Sequence, residues 1–204
     1  MSKQKIKVGV ICECGPEGAE VQVFPELVRR FAPDLLLDYV PLGNLPRLIQ
    51  GCGKATRTLL NQGCERVVIV WDLFPAWREQ GIRPCRHDHR QGIFDALRAE
   101  NIQLPRVSLV CIREELEAWL IADGRAVSAV LSTPAHQQNI GHVKRPETTR
   151  KPKTRLTKLF QQHVHRIYSD RQDAVRIARA LPDLARLDRI PAFTRFCQKI
   201  LGQH

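Results

Sequence analysis

The sequence has little that would place it in a membrane or outside the cell. Its longest uninterrupted apolar runs, Val67–Trp71 and Ala118–Ala122, are far shorter than the roughly 20 residues that a helix needs to cross a bilayer. The basic N-terminal residues lead into a strand-like segment and not into the apolar core of a secretion signal. We therefore expect a cytoplasmic protein that does not cross a membrane.

The seven cysteines lack the paired spacing of a disulfide-bonded or zinc-binding framework. Cys12 and Cys111 lie in apolar runs, where a thiol packs as a small core side chain. Cys85 is close to His87 and His89, but structural zinc sites usually combine two spaced ligand pairs, and the sequence shows no convincing second pair. This pattern disfavours both kinds of framework.

Extreme composition is absent as well. Hydrophobic residues make up 43% of the chain and charged residues 26%, close to the averages of globular domains. The composition thus disfavours disordered, collagen-like and coiled-coil proteins. The 204 residues suit one domain, or one domain with a small appendage.

Positive charge is unevenly distributed along the chain. Residues 1–123 contain 16 Lys and Arg against 16 Asp and Glu, whereas residues 124–204 contain 16 against five. The formal net charge of +11 therefore belongs to the C-terminal two-fifths. A balanced body with a basic extension is typical of proteins that contact polyanions, although basic surfaces also serve solubility.

Strand-like and helix-like patterns alternate in the first part of the chain. In the first predicted helix, Val21, Phe24, Val28 and Phe31 recur at spacings of three, four and three residues, which places them along one helical face. Parallel strands need crossover connections, so this alternation predicts a mostly parallel, Rossmann-like α/β sheet with helices on both faces. The predicted strands are Ile6–Cys12, Leu35–Leu42, Val67–Trp71 and Val107–Ile112, and the predicted helices lie near residues 21–31, 45–62 and 88–101.

Acidic residues directly follow three of the predicted strands. Glu13 and Asp72 follow the first and third, and the Glu114–Glu117 cluster follows the fourth. Ligands of parallel sheets gather beyond the carboxyl ends of the strands, so we expect these carboxylates to meet at one edge. Each acid also has an ordinary interpretation as a turn or helix cap.

Glu117 is the most unusual of these acids because an almost wholly apolar turn follows it. An unpaired carboxylate buried there would be costly. We interpret it either as a residue near a metal or as part of a structural ion pair. Glu17 and Glu20 are further candidates, whereas Asp123 is more easily explained as a helix end.

The C-terminal part of the chain is predicted to be helical and basic. We divide the chain into an α/β domain (1–131), a basic flexible loop (132–153) and a helical extension packed on the α/β domain (154–204). The basic residues around the second boundary suit contact with a phosphate backbone, which would be salt-sensitive and largely independent of sequence. The predicted nucleic-acid-binding residues are Lys144, Arg145, Arg150, Lys151, Lys153, Arg155 and Lys158. A solvated loop or a docking surface for an acidic protein is the alternative.

One apparent phosphate-binding motif fails on spacing. Gly51, Gly53 and Lys54 resemble part of a phosphate-binding loop, but Leu48 and Ala55 occupy positions that require Gly and Ser or Thr. We interpret the two glycines as part of a helix or loop.

Four motifs stand out along the chain: ECGPEGAE (13–20), VVIVWDLF (67–74), ELEAWLIAD (115–123) and PETTRKPK (146–153). Together they resemble a bacterial Toprim-like family of unknown function, whose members are often associated with ATPases of defence-system type. The similarity spans most of the chain, and the third and fourth motifs are the most distinctive.

This resemblance implies metal-dependent phosphoryl chemistry. The wider Toprim group includes topoisomerases, primases and overcoming-lysogenization-defect nucleases. There, a Glu after the first strand and an Asp-x-Asp after a later strand serve the reaction, and Glu13 and Asp72 match those positions. Phe74 stands where the second Asp would be, which leaves one hard ligand fewer.

Residues and resemblance together suggest a Mg²⁺- or Mn²⁺-dependent nuclease or nuclease-related subunit, with a role in phage defence. Glu13, Asp72 and Glu117 are its candidate catalytic and metal-binding residues. Hard divalent cations prefer carboxylate oxygens, and paired ions stabilise both the attacking and the leaving oxygen of a phosphodiester. The alternative is a noncatalytic nucleic-acid-binding or regulatory module that works with a partner ATPase.

Overall fold

A computed structural model describes residues 5–74 and 85–203. After the third strand the sequence predicts a loop at 73–87 that contains Pro, Arg and Trp, and this loop lies mostly outside the described residues. The strands are β1 (Lys7–Cys12), β2 (Leu36–Pro41), β3 (Arg66–Asp72) and β4 (Val107–Ile112). The helices are α1 (Ala19–Phe31), α2 (Leu45–Asn61), α3 (Arg86–Ala99), α4 (Glu117–Leu120), α5 (Gly124–Leu131), α6 (Pro152–Val164), α7 (Asp170–Ala180) and α8 (Pro191–Leu201). No helix in these ranges is long and apolar enough to cross a bilayer.

The four strands form one parallel sheet in the order β2-β1-β3-β4, which confirms the predicted α/β class. The chain runs from β1 to β2 on one side and later from β3 to β4 on the other. The order therefore reverses between β1 and β3, where the carboxyl ends of parallel strands leave a crevice for ligands. Glu13 follows β1 directly and Asp72 ends β3, so both lie at this crevice.

Two hydrophobic cores cover the sheet, one on each face. The smaller core packs α2 and α3 against side chains such as Ile69 and Trp71 of β3. The larger core packs α1 and the helices after β4 against the alternate side chains of the same strand, including Val68 and Val70. β3 is buried on both faces, as its run of β-branched residues predicts.

An aromatic cluster fixes the short helix α4 that begins at Glu117. Trp119 of α4 lies 5.2 Å from Phe193 and 5.6 Å from Phe196 of α8, measured between ring centroids. Phe24 of α1 lies 4.9 Å from Phe196. Such pairs add about 0.5–1.5 kcal/mol each beyond the area they bury. The apolar turn after Glu117 thus locks that residue in place.

The segment at 132–153 has little regular structure, but hydrogen bonds attach it to α5. The hydroxyl of Ser128 accepts a hydrogen bond from the Ile140 amide at 2.7 Å, and the Gly124 amide donates to Nδ1 of His142 at 3.1 Å. α6 begins at Pro152, inside the segment predicted as loop, because proline is well suited to the first position of a helix.

Gly51 and Gly53 both lie inside α2, which agrees with their interpretation as helix residues. We expect Gly53→Ala to destabilise the fold by about 1–3 kcal/mol, because its new Cβ would lie 2.2 Å from the backbone oxygen of Ala96 in α3. Gly51→Ala is the matched control, since its Cβ would meet only the Leu42 side chain at 3.6 Å. There we expect no loss, because alanine favours the helix. Urea unfolding of both variants checks this, and equal midpoints would contradict it.

Candidate functional site

A cleft of about 430 Å³ opens beyond the carboxyl ends of β1 and β3. Its walls come from the loop after β1, the end of β3, the start of α4, and the first turns of α6 and α7. The charged residues that line it are Glu13, Glu17, Glu20, Asp72, Glu115, Glu117, Lys153, Asp170 and Arg171. All three predicted catalytic residues therefore lie in one cleft.

Glu13 is the buried carboxylate on the β1 side of the cleft. Its neighbours along the chain are held by the segment that follows β2, since the amides of Leu42 and Gly43 donate to the carbonyls of Cys12 and Cys14 at 2.8 Å. Glu13 is only 4% exposed, and its Oε2 has no hydrogen-bond partner among the described residues. Burial and the charge of Glu20 raise its pKa to about 8.

Asp72 is the buried carboxylate at the end of β3, and several other acids of the cleft surround it. It is 8% exposed, and burial raises its pKa well above the usual range. The next contributions come from the charges of neighbouring carboxylates. In decreasing order these are Glu13, Glu20, Glu117 and Glu115. Asp72 therefore lies close to acids from both sides of the cleft.

Glu117 and Glu115 form the wall opposite Glu13. Tyr168 donates its hydroxyl to Oε1 of Glu117 at 3.4 Å, and the Lys153 amide donates to Oε2 of Glu115 at 3.3 Å. Burial, and then the charge of Glu115, raise the pKa of Glu117 to about 8, although Lys153 opposes this shift. Glu117 is thus buried beside other acids, with a nearby cation that compensates only in part.

Lys153 is the half-buried cation of the cleft. Its Nζ donates to Oδ2 of Asp170 at 2.5 Å. Burial lowers its pKa, but the bond to Asp170 and the charges of Glu117 and Glu115 outweigh burial, so the pKa is raised. Lys153 stays protonated and is positioned to meet an anion that enters the cleft.

The backbone before Lys153 is strained. Lys151 adopts the left-handed conformation, with a φ of 52° and a ψ of 58°, and the buried Pro152 follows it. A non-glycine residue in this region costs of order 1–3 kcal/mol. The distinctive Lys-Pro-Lys element thus turns the chain into α6 with the Lys153 amide facing Glu115.

The sequence did not predict a role for Asp170 or Tyr168. Asp170 begins α7 and lines the cleft, and Tyr168, two residues earlier, binds the cleft residue Glu117. Only the acidic start of a helix was visible in the sequence around Asp170. Asp123, the weaker candidate, lies fully buried at the start of α5, where it accepts hydrogen bonds from Arg125. It does not line the cleft.

The carboxylates suit a hard divalent cation by their chemistry, since Mg²⁺ and Mn²⁺ prefer oxygen donors. The unpartnered Oε2 of Glu13 and the excess of acids over cations give such an ion a favourable place. Within residues 5–74 and 85–203, however, no group of three or more His, Cys, Asp or Glu is already arranged around a metal position. The side chains would have to adjust as an ion binds.

Six of the seven predicted nucleic-acid-binding residues are exposed, and Lys153 alone lines the cleft. Lys151, Arg155 and Lys158 repeat at four and three residues, which places them along one face of α6 and its cap. The other exposed members are Lys144, Arg145 and Arg150.

One family matches most of the chain: its description is Domain of unknown function (DUF4276), and the match covers residues 26–201. The chain belongs to the DUF4276 family. Neither the curated proteins nor the solved structures contain a significant match to it.

The matched region includes half of the residues that line the cleft of this DUF4276 chain. Asp72, Glu117 and Lys153 lie within residues 26–201, whereas Glu13 and Glu20 precede them. The family description carries no activity, so the chemistry of the cleft has to be inferred from its residues.

The raised pKa values predict that the metal-free DUF4276 chain loses stability as the pH rises. When the pKa of a carboxyl is higher in the folded protein than in the unfolded chain, the fold loses stability as the pH rises from the unfolded-state pKa to the folded-state pKa. For Glu13 and Glu117 this interval runs from the ordinary 4.5 to about 8. Thermal unfolding in EDTA should show the melting temperature falling over this interval, and Mg²⁺ should reduce the loss. A melting temperature that rises from about pH 5 to about pH 8 would contradict this.

Proposed function

We propose that this chain is a Mg²⁺- or Mn²⁺-dependent nuclease, or the nuclease-related subunit of a larger assembly, that cleaves nucleic-acid phosphodiesters. The observation that carries the proposal is the meeting of Glu13, Asp72 and Glu117 in one buried cleft. Ionised carboxylates buried together without a cation are costly, so their assembly favours a bound hard ion.

Glu13 and Asp72 would hold the ion from the ends of β1 and β3, and Glu117 would support it from α4. A divalent ion in such a site stabilises negative charge on the oxygens of the reacting phosphate. Lys153 would contact a non-bridging phosphate oxygen, since it lines the cleft and its ammonium has two donors besides the one that binds Asp170.

Phe74 removes one acid from the expected Asp-x-Asp pair, and other acids of the cleft can replace it. Glu20 and Glu115 both line the cleft, and both carboxylates influence the pKa of Asp72. Either residue could provide the oxygen that Phe74 lacks. The fold, and not the local sequence motif, brings these two acids close to Asp72.

A cleavage assay tests the proposal. Purified protein should cleave single- or double-stranded DNA or RNA with Mg²⁺ or Mn²⁺ but not with EDTA. Glu13→Gln should lose at least about a hundredfold in rate, in line with the loss of a group that positions a metal. Asp34→Asn is the matched control, because Asp34 is exposed on the loop after α1. Equal activity of wild type and Glu13→Gln would reject the proposed centre.

The exposed basic residues are proposed to bind the phosphate backbone outside the cleft. Changing Lys151, Arg155 and Lys158 together to Gln should weaken binding at low salt and reduce the slope of log K against log salt by about two to three. The binding of a fluorescent oligonucleotide at several salt concentrations checks this. The control changes two exposed basic residues of α2 on the opposite face of the sheet, Lys54 and Arg57, to Gln. An equal loss of slope in this control would contradict a localised surface.

A noncatalytic nucleic-acid-binding or regulatory module is the second candidate function. It is favoured by Phe74 and by the lack, among the described residues, of a group already arranged to hold a metal ion. Salt-sensitive binding without cleavage, even with a partner ATPase present, would support it. In either case we propose a cytoplasmic protein, with the ATPase partner and the defence role that the family resemblance implies.

A further inference from the structure

Two cysteines flank the cleft acid Glu13 and touch each other. Cys12 ends β1, Cys14 follows Glu13, and their Sγ atoms lie 3.4 Å apart. Cys14 lines the cleft and is half-buried, whereas Cys12 is buried beneath it. One thiol of the pair can therefore meet a small reagent, and the other is in place to react with it next.

The surrounding backbone keeps the two thiols together. The amides of Leu42 and Gly43 donate to the carbonyls of Cys12 and Cys14, so both ends of the three-residue segment are tied to the chain after β2. Gly18 provides the space that Cys14 occupies, because a Cβ on Gly18 would lie 2.3 Å from Cys14 Cβ and 2.7 Å from its Sγ.

We propose that Cys12 and Cys14 are an oxidation site at which a hydroperoxide forms a disulfide. This disulfide moves Glu13 and weakens metal binding in the cleft. Cys14 sulfur attacks a peroxide oxygen, the O–O bond breaks, and the released hydroxide leaves with the thiol proton as water. Cys12 sulfur then attacks the resulting sulfenic acid and releases a second water. Two thiols and one hydrogen peroxide thus give one disulfide and two waters.

We expect the disulfide to disturb Glu13 because a disulfide needs a geometry that differs from that of the thiol pair. A disulfide is about 2.05 Å long, so the sulfurs have to approach by more than 1 Å from their separation of 3.4 Å. The hydrogen bonds to Leu42 and Gly43 hold the outer residues, so the dihedral angles around Glu13 absorb part of this change. The Glu13 carboxylate then moves away from its place beside Asp72 in the cleft.

Peptide mapping of the full chain tests the modification directly. Trypsin releases residues 8–29, which contain Cys12 and Cys14 and no other cysteine. After excess hydrogen peroxide, unfolding and alkylation, this peptide should carry no label and be lighter by two hydrogens than the unlabelled reduced peptide. Dithiothreitol should restore both labels. The hydrogen bond with Cys12, burial and the charge of Glu20 raise the pKa of the Cys14 thiol, so we expect slow oxidation and follow it for hours.

Cys197 provides the matched comparison because it is another half-buried cysteine, in α8. Residues 8–29 should form their disulfide in Cys197→Ser as in wild type, whereas Cys14→Ser should form none. Retention of both labels on residues 8–29 after Cys197 has been oxidised would overturn the proposed site.

Manganese affinity tests the effect on the cleft and rests on the proposed function. Oxidation of wild type should weaken Mn²⁺ binding by about tenfold or more, and Cys14→Ser should show no such change. Unchanged Mn²⁺ affinity in a fully disulfide-bonded sample would overturn the proposal that the disulfide weakens metal binding. If the reduced protein binds no Mn²⁺, the proposed metal site fails, and the peptide map still decides whether the disulfide forms.

Discussion

Replacing Asp72 with asparagine is expected to abolish metal-dependent cleavage and to raise the melting temperature of the metal-free protein. Activity should fall by about a thousandfold, because the ion loses the ligand at the centre of the cleft. Stability should rise by about 1–3 kcal/mol, because burial and four neighbouring acids disfavour the charged carboxylate that asparagine replaces. Such a gain corresponds to a few degrees for a chain of this size.

The combination of lower activity and a higher melting temperature distinguishes this prediction from simple misfolding. A misfolded Asp72→Asn variant would lose activity and melt lower, as would a variant that had lost a structural ion pair. Differential scanning calorimetry in EDTA, together with the cleavage assay, checks both effects in one preparation. A lower melting temperature would show that Asp72 has a stabilising partner, which would contradict our view of the cleft.

Lys153→Met is expected to cut the cleavage rate by about a hundredfold while Mn²⁺ binds more tightly. The cation would no longer stabilise charge on the reacting phosphate, which accounts for the lower rate. It would also no longer repel a bound metal ion or neutralise Glu117 and Asp170, which accounts for the higher metal affinity. Removing the cation should also let the pKa of Glu117 rise above about 8.

Two further variants make the Lys153 prediction specific. Lys153→Arg keeps the charge and should recover part of the rate. Lys54→Met is the matched control, since Lys54 is an exposed lysine of α2 on the opposite face of the sheet. Steady-state rates and Mn²⁺ titrations check the set. Weaker metal binding in Lys153→Met would show that the residue supports the fold of the cleft instead.

The sheet and part of the cleft could be predicted from the sequence because both depend on local patterns. The β-branched run of β3 predicts a strand that is buried on both faces and ends at Asp72. Once parallel strands are predicted, acids that directly follow them must share one edge, which brings Glu13 near Asp72. The roles of these acids in catalysis and metal binding remain predictions.

The remaining parts of the cleft depend on contacts between distant segments, which no local pattern carries. Asp170 and Tyr168 reach Lys153 and Glu117 only because α7 packs on α1 and α5. α5 was not predicted, since it is only eight residues long. The contact of Cys12 with Cys14 also required the structure, because their spacing alone does not predict that the thiols touch.

The most direct measurement is a crystal structure of the protein soaked with Mn²⁺, with data collected for anomalous scattering. Our account predicts a strong anomalous peak in the cleft, with carboxylate oxygens of Glu13 and Asp72 bound to it at roughly 2.1–2.2 Å. The contrary result would be a cleft with no peak at saturating Mn²⁺, in which a lysine or arginine forms ion pairs with both acids.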